Sequence, residues 1–116
     1  MRGMRSLGRT SRLILTVLAK EPAHGYAVIS WTKEVSGGTE QLAVGSVYGA
    51  MEKLEQQGHI EHDHDEIEQG RTRRCFRITP VGRDVLVAEV TRLDAEVKKA
   101  QESLGIDLGG LRGATA

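Results

Sequence analysis

Residues 42–60 read LAVGSVYGAMEKLEQQGHI, and this stretch decides the fold. Its apolar residues recur three, four and seven positions apart, the spacing of one buried helix face. They are Val47, Ala50, Met51 and Leu54. Ser46 can cap the start of such a helix, and Gly58 can end it because a helix terminus favours a residue that accepts positive φ. The pattern therefore predicts a short amphipathic helix.

The outer face of this helix has small, hydroxyl, amide and basic side chains: Ser46, Tyr48, Gly49, Lys53 and Gln56. Small residues allow a close approach, while the polar groups donate hydrogen bonds to phosphate oxygens or base edges. Such a face suits the major groove of double-stranded DNA. An ordinary solvated helix face can have the same composition, so the neighbouring segments must decide between the two interpretations.

The 116 residues correspond to one domain, or to a small domain with an appended helix. The net charge is zero, but the charges are segregated along the chain. The basic residues cluster at Arg2, Arg5, Arg9 and Arg12 and again at Arg71, Arg73, Arg74 and Arg77, and the acids at Glu61, Asp63, Asp65, Glu66 and Glu68. Clusters of one sign matter more than the total for binding nucleic acid.

Cysteine content and hydropathy indicate a cytoplasmic protein without a membrane partner. Cys75 is the single cysteine, so no disulfide can form within the chain, and a reducing compartment is expected. The apolar run at residues 13–19 is short and ends in Lys20-Glu21, unlike a secretory signal. No stretch is long enough to span a membrane.

Two further helices precede the central one. Residues 1–9 read as a flexible basic arm, after which Thr10 or Ser11 can cap a helix that runs to about Lys20. A second helix is predicted from His24 or Gly25 to Ser36. Their apolar faces comprise Leu13, Ile14, Val17 and Leu18 in the first and Tyr26, Val28, Ile29, Thr32 and Val35 in the second. Three short helices joined by turns are typical of a helix-turn-helix domain.

The segment after these helices reads as a hairpin of two strands. Residues 60–67 alternate loosely, residues 74–78 have aromatic and β-branched content, and Gln69-Gly70 is a turn signal between them. Three helices and a hairpin make a winged helix, here over residues 10–79, in which the hairpin is the wing. Arginines at and just after its tip would favour DNA backbone or minor groove.

Thr79 and Pro80 predict the start of a long last helix, as its N-cap and first residue, and the helix runs to about Leu104. Its apolar residues are spaced alternately four and three apart: Leu86, Val90, Leu93, Val97, Ala100 and Leu104. We call these six residues the seam, since this is the spacing of a coiled coil. A second copy of the helix is the simplest partner for dimerisation, and packing on the chain's own winged helix is the alternative. Residues 105–116 read as a flexible tail. The predicted fold is mainly α with a small β-hairpin: a winged helix-turn-helix plus a long C-terminal dimerisation helix.

Five motifs in register resemble the PadR family of bacterial transcriptional regulators, in its short subgroup with one C-terminal helix. They are His24-Gly25-Tyr26, Gly45-Ser46-Val47-Tyr48, Leu54-x-x-x-Gly58-x-Ile60, Gly70-Arg-x-Arg-Arg74 and Ile78-Thr79-x-x-Gly82-Arg83. The resemblance covers residues 12–104. It implies a homodimeric repressor that binds a palindromic operator and is released by a small-molecule effector or stress signal.

Carried over by that resemblance, the DNA-binding residues are Ser46, Tyr48 and Lys53 of the third helix, Arg71, Arg73 and Arg74 of the wing, and His24 near phosphates, while Tyr26 mostly packs. The chain departs from the family in two places. Val44 and Gly49 stand where the family often has proline, and Cys75 where it often has an aromatic residue. Glycine inside a helix costs about 1 kcal/mol relative to alanine, which bears on the rigidity of the third helix.

Other chemistry finds less support in the sequence. The candidate metal ligands are His59, His62 and His64 together with Asp63, Asp65 and Cys75, and Cys75 would lie across the hairpin from His64 if the turn is at Gln69-Gly70. Their spacing matches no zinc motif, so we predict no metal and no cofactor, with a metal-responsive sensor as an alternative. No catalytic motif is present, and we expect no enzyme. A protein-interaction module that uses the seam is the remaining alternative.

Overall fold

The computed structural model describes residues 7–39 and 42–109. Four helices and one hairpin follow in the order α1 (Arg9–Lys20), α2 (Gly25–Val35), α3 (Val44–Gln56), β1 (Ile60–Glu68), β2 (Arg71–Ile78) and α4 (Pro80–Leu104). The predicted fold class is confirmed. Residues 1–6 of the predicted arm and residues 110–116 of the predicted tail lie outside the described residues.

The core lies where α1, α2 and α3 meet the hairpin and the first turns of α4. Its buried residues are Ile14, Leu15, Val17, Leu18, Ala23, Val28, Val47, Met51, Leu54, Ile60, Phe76 and Leu86. The predicted apolar stripe of α3 is confirmed at Val47, Met51 and Leu54. Burying such side chains is the main stabilising contribution to a small domain.

Three predicted core positions are wrong. Leu15 is buried, whereas Leu13 is only half-buried. In α2, Tyr26 and Val35 are exposed, since the chain packs only one narrow side of this helix, centred on Val28 and Thr32. Helical spacing identifies a face but not its width.

Both predicted hydroxyl caps at the starts of α1 and α3 are also wrong. α1 begins at Arg9, with Gly8 at the N-cap position before Thr10 and Ser11. α3 begins at Val44, with Ala43 at the N-cap, so Ser46 lies inside the first turn. Gly49 lies within α3 without interrupting it. Gly58 ends the α3 region with φ 78°, as predicted.

The strands of the hairpin are longer than the sequence indicated, and its turn is where the sequence predicted it. Gln69 and Gly70 both have positive φ, 51° and 75°, which makes the predicted turn a two-residue turn of the type that matches strand twist. β2 starts at Arg71 rather than residue 74, because its arginines pair across the ladder with acids of β1. Ala23 extends the sheet by bonding Phe76 in both directions, at 3.0 and 2.9 Å.

The root of α4 is fastened to the end of α3. Thr79 caps α4 by accepting a hydrogen bond from the Gly82 N–H at 3.0 Å, as predicted, and donates to the Gly58 carbonyl at 2.6 Å. Gly82 lies so close to the His59 carbonyl that a Cβ at this position would overlap it. The orientation of α4 is therefore coupled to that of α3.

Residues 105–109 continue beyond α4 in a defined conformation. Gly105 has φ 71° and forms the helix C-cap. The Ile106 N–H donates to the Gln101 carbonyl at 3.0 Å, and the Leu108 N–H donates to Oε1 of the Gln101 side chain at 3.1 Å. This part of the predicted tail folds back on the helix.

Candidate nucleic-acid interface

The outer face of α3 is free in the described chain. Ser46, Tyr48 and Lys53 are exposed, while Val47 and Met51 on the inner face are buried. The two faces separate as the helical spacing predicts, because residues three and four apart lie on one side. The exposed face can approach a ligand without displacing any part of the core.

A groove of about 420 Å³ lies between α3 and the wing. It brings together four of the seven predicted DNA-binding residues, namely His24, Tyr48, Arg73 and Arg74. Ser46 and Lys53 lie on the exposed surface of α3 outside this groove, and Arg71 is exposed beside the turn. The predicted set thus forms one groove with outlying positions on both sides.

An aromatic and cationic stack includes two residues of the groove, Tyr48 and Arg73, and joins them to Tyr26. The Tyr26 and Tyr48 rings meet edge to face with centroids 6.0 Å apart, and the Arg73 guanidinium lies 4.4 Å over the Tyr26 ring. Such contacts stabilise by about 0.5–2 kcal/mol each. Tyr26 is 44% exposed, so it packs against Tyr48 and Arg73 at the surface rather than in the core.

Gly25 makes this stack possible. The Tyr48 ring occupies the space where a Cβ of residue 25 would stand, with its nearest carbon 2.5 Å from that position. Sequence reasoning missed this role. The signal was a glycine in the first turn of a helix, beside a tyrosine, where glycine has no advantage in helix formation.

His24 has a structural contact that the sequence did not identify. Its ring is buried and caps α2, since Nδ1 accepts the Ala27 N–H at 3.3 Å. Nε2 lies 3.8 Å from the Glu68 carboxylate at the tip of β1. His24 therefore joins the start of α2 to the wing, and its predicted proximity to phosphates stays a prediction.

Acids face every arginine of the wing. The cross-strand register pairs Glu61 with Arg77, Asp65 with Arg74, Glu66 with Arg73 and Glu68 with Arg71. Arg77 is held at 2.7 Å by Glu61 and at 3.1 Å by Asp63, and these carboxylates raise its pKa. Arg73 and Arg74 are held more loosely, at 4.0 Å from Glu68 and 3.6 Å from Glu55.

Arg73 is the least satisfied of these groups. Its side chain is 19% exposed, and Nε is buried without a hydrogen-bond partner among the described residues. A buried donor without a partner carries a desolvation cost of about 1–3 kcal/mol. An anion that accepted this N–H would remove that cost.

The seam is covered unevenly by its own chain. Leu86 is buried in the core and Leu93 is half-buried, whereas Val90, Val97 and Leu104 are exposed by 52%, 43% and 70% and Ala100 is also exposed. Beside it, the carboxylate of Glu89 is buried and paired with Arg92 at 2.8 Å and Arg12 at 3.9 Å. These bonds, led by that of Arg92, lower the Glu89 pKa.

The candidate metal ligands separate into two groups. His64 faces Cys75 across the hairpin, as the turn position predicted, and Glu66 lies beside them. His62 instead bonds Asp65 at 2.7 Å, and His59 lies before the hairpin. Burial first, and then the charge of Glu66, raises the pKa of the Cys75 thiol to about 11.

The family assignment follows from the sequence match over this same region. The Transcriptional regulator PadR-like family matches residues 14–88, which is more than half of the chain. The chain belongs to this family. The resemblance drawn from the five motifs is confirmed, and the PadR-like family consists of transcriptional regulators rather than enzymes.

Relatives of this PadR-like chain include one of very different length. A 37.1 kDa protein of transposon TN4556 from Streptomyces fradiae is 38% identical over 77 residues. The match covers 66% of this chain and 21% of that protein, so the chain spans about a fifth of this relative's length.

Solved structures share the fold. A PadR family transcription regulator from hypervirulent Clostridium difficile R20291 is 25% identical with a TM-score of 0.63, over 84% of this chain and 98% of that chain. Bacillus subtilis PadR in complex with operator DNA is 23% identical with a TM-score of 0.61, over 69% of this chain and 46% of that chain.

Of the helices within residues 7–39 and 42–109, none combines the length and apolar content that a membrane span requires.

Proposed function

We propose that this PadR-like regulator acts as a homodimeric repressor that binds a palindromic operator. In this proposal α3 enters the major groove, the wing contacts the neighbouring backbone or minor groove, and α4 forms the dimer. The observation that carries the proposal is the exposed polar face of α3 lying beside the groove in which Arg73 and Arg74 stand with Glu52 and Glu55. The solved complex of Bacillus subtilis PadR with operator DNA supports the use of this fold on DNA.

The exposed part of the seam supports dimerisation. Val90, Val97 and Leu104 form a stripe along α4 that the described chain leaves in water. A second copy of the same helix would bury this stripe, and a twofold axis would repeat it on both subunits. The two α3 helices would then bind half-sites about 34 Å apart, one turn of duplex.

The loosely held arginines support the phosphate contacts. Phosphate oxygens would compete with Glu55 and Glu68 for Arg74 and Arg73, and charge-assisted bonds to phosphate are shorter and stronger than these long ion pairs. A dimer with two wings and two α3 helices would make about six to ten phosphate contacts. Its affinity would therefore fall steeply with salt.

The relief of repression by a small molecule or stress signal belongs to the same proposal. An apolar groove of about 230 Å³ lies between the end of α1 and α4, lined by Ala19, Leu86 and Val90. It touches the seam, so a ligand there would contact both the winged helix and the dimer helix.

A reporter fused to the gene's own upstream DNA would show whether the output is repression.

The direct test is a gel shift with DNA from upstream of the protein's own gene, with Lys53→Ala and Arg73→Ala variants. We expect each to weaken binding by about tenfold and to reduce the salt dependence by about one ion per subunit. Both variants should remain dimers in sedimentation experiments, because neither residue is in the seam.

Lys98→Ala is the matched control. It removes the same charge from an exposed position on α4, where Lys98 pairs with Asp94. Its affinity should equal that of the native protein. Unchanged operator affinity in both Lys53→Ala and Arg73→Ala would contradict the proposed interface. A stable dimer that shifts no DNA would favour the interaction module instead.

A further inference from the structure

Three different metal-binding atoms converge on one face of the wing. His64 and Glu66 lie two residues apart on β1 and so point to the same side, and Cys75 lies opposite His64 on β2. One nitrogen of His64, one carboxylate oxygen of Glu66 and the sulfur of Cys75 all lie within 4.8 Å of one another. The cluster shares no residue with the proposed DNA interface.

A β-bulge creates this cluster. Between His62 and His64 the strand register shifts, so Asp63 is the extra residue of β1. A regular continuation from the His62–Phe76 pair would have placed Asp63 opposite Cys75. The bulge turns His64 toward the sulfur instead, and bulges commonly re-aim a side chain in this way.

We propose that His64, Glu66 and Cys75 bind one divalent transition-metal ion of the zinc class. A thiolate, an imidazole and a carboxylate are the three ligand types that Zn²⁺ accepts, whereas Mg²⁺ and Ca²⁺ prefer oxygen alone. With three protein ligands, a water molecule would complete the tetrahedron. Zinc ligands stand roughly 3–4 Å from one another, which small side-chain rotations from the present spacing would reach.

The histidine is already oriented for this role by a second layer of contacts. Nδ1 of His64 bonds Oδ2 of Asp63 at 2.6 Å, which leaves Nε2 facing Glu66 at 2.9 Å. Arg77 in turn holds Oδ1 of Asp63 at 3.1 Å. A carboxylate that fixes the second nitrogen of a metal-bound histidine is the usual outer layer of zinc sites.

Burial and charge also favour a cation here. Cys75 is 1% exposed and stands on a strand that faces the five acids of β1. The negative charges of Asp63, Asp65 and Glu66 all interact electrostatically with its sulfur. A divalent ion would be attracted by these carboxylates and would neutralise part of their charge.

The experiment uses the full chain after chelation and reduction, titrated with Co²⁺ as the probe and then with Zn²⁺ in competition. We expect one cobalt ion per chain, with a thiolate-to-cobalt charge-transfer band in the near ultraviolet and visible bands of tetrahedral cobalt. Cys75→Ser should lose the charge-transfer band. His64→Gln and Glu66→Gln should weaken zinc binding at least about tenfold, and Asp63→Asn by about 10- to 100-fold.

His62→Gln is the matched control, since it removes a histidine of the same strand that bonds Asp65 outside the cluster. Its zinc affinity should equal that of the native chain. Circular dichroism tests whether each variant is folded. If Cys75→Ser is unfolded, the Glu66→Gln and His64→Gln variants, which change exposed positions, test the site in its place. Native protein that binds no cobalt, or a band that persists in folded Cys75→Ser, would overturn the site. No DNA enters the assay, so its failure is separate from failure of the proposed function.

Discussion

The first and the later turns of α4 belong to one continuous helix but bury very different side chains. Within residues 80–89, Gly82, Leu86 and Glu89 are buried against the winged helix. From residue 90 onward, Val90, Val97 and Leu104 stand in water although they continue the same apolar spacing. The comparison shows that one heptad pattern can be divided: its first positions pack on the chain's own core, and its later positions are left for the second copy that we propose.

The largest expected effect comes from placing a charge in the later turns. In the proposed dimer, Val97→Asp would bury two carboxylates near the twofold axis, and desolvation without a partner is costly. We expect dimerisation to weaken by about a thousandfold, roughly 4 kcal/mol. Sedimentation equilibrium measures it. Ala95→Asp, exposed and off the seam, should remain dimeric, and a dimeric Val97→Asp would refute the proposed partner.

In the first turns, Gly82→Ala should destabilise the fold by about 3 kcal/mol, because the new methyl would overlap the His59 carbonyl. Urea unfolding measures the change. Gly49→Ala is the control, since a Cβ there meets nothing within 4 Å and alanine favours the helix by about 1 kcal/mol. Equal stabilities for the two variants would show that α4 is not fastened at its root.

Glu89→Gln tests the ion pair at the boundary between the two parts. Losing the charge-assisted bonds to Arg92 should cost about 1–2 kcal/mol at neutral pH. Because the folded state lowers the Glu89 pKa, this advantage exists above the ordinary value of 4.5 and disappears as pH falls through the lowered pKa. Thermal unfolding from pH 7 to pH 3 should show the native and variant curves converge. Glu96→Gln, which removes an exposed partner of the same arginine, should change the stability little. A difference in stability between the native protein and Glu89→Gln that grows as the pH falls would contradict this account.

The smallest effect should come from Lys98→Ala. Its ion pair with Asp94 at 2.9 Å is exposed on both sides, and water and salt screen such pairs so that they contribute little to stability. The midpoint of thermal unfolding and the stability of the proposed dimer should therefore change little. A larger loss would mean that surface charges, and not the seam, stabilise the later turns.

Local signals in the sequence were enough for much of this structure. The stripe of Val47, Met51 and Leu54, the turn at Gln69-Gly70 and the cap at Thr79 each depend on residues within one turn of helix or hairpin. These features were predicted at the right positions. The family motifs predicted the same positions for α2, α3 and the wing.

The remainder depends on contacts between distant residues. Neither the bulge at Asp63 nor the close packing of the Tyr48 ring on Gly25 leaves a periodic trace in the sequence. The cap predicted at Ser46 was wrong because residues 44 and 45 also became helical, although hydroxyl residues favour caps. His24 was assigned toward phosphates, and its bond to Ala27 depends on a ring orientation that sequence does not specify.

The close seat of Gly82 on the His59 carbonyl has a mechanical consequence. The first turn of α4 lies directly against the His59 carbonyl, three residues after the end of α3, so a tilt of one helix would move the other with it. In the proposed dimer, any ligand that altered the crossing angle of the paired α4 helices would change the distance between the two DNA-reading elements. The chain could then release its operator by geometry alone, with every contact residue unchanged.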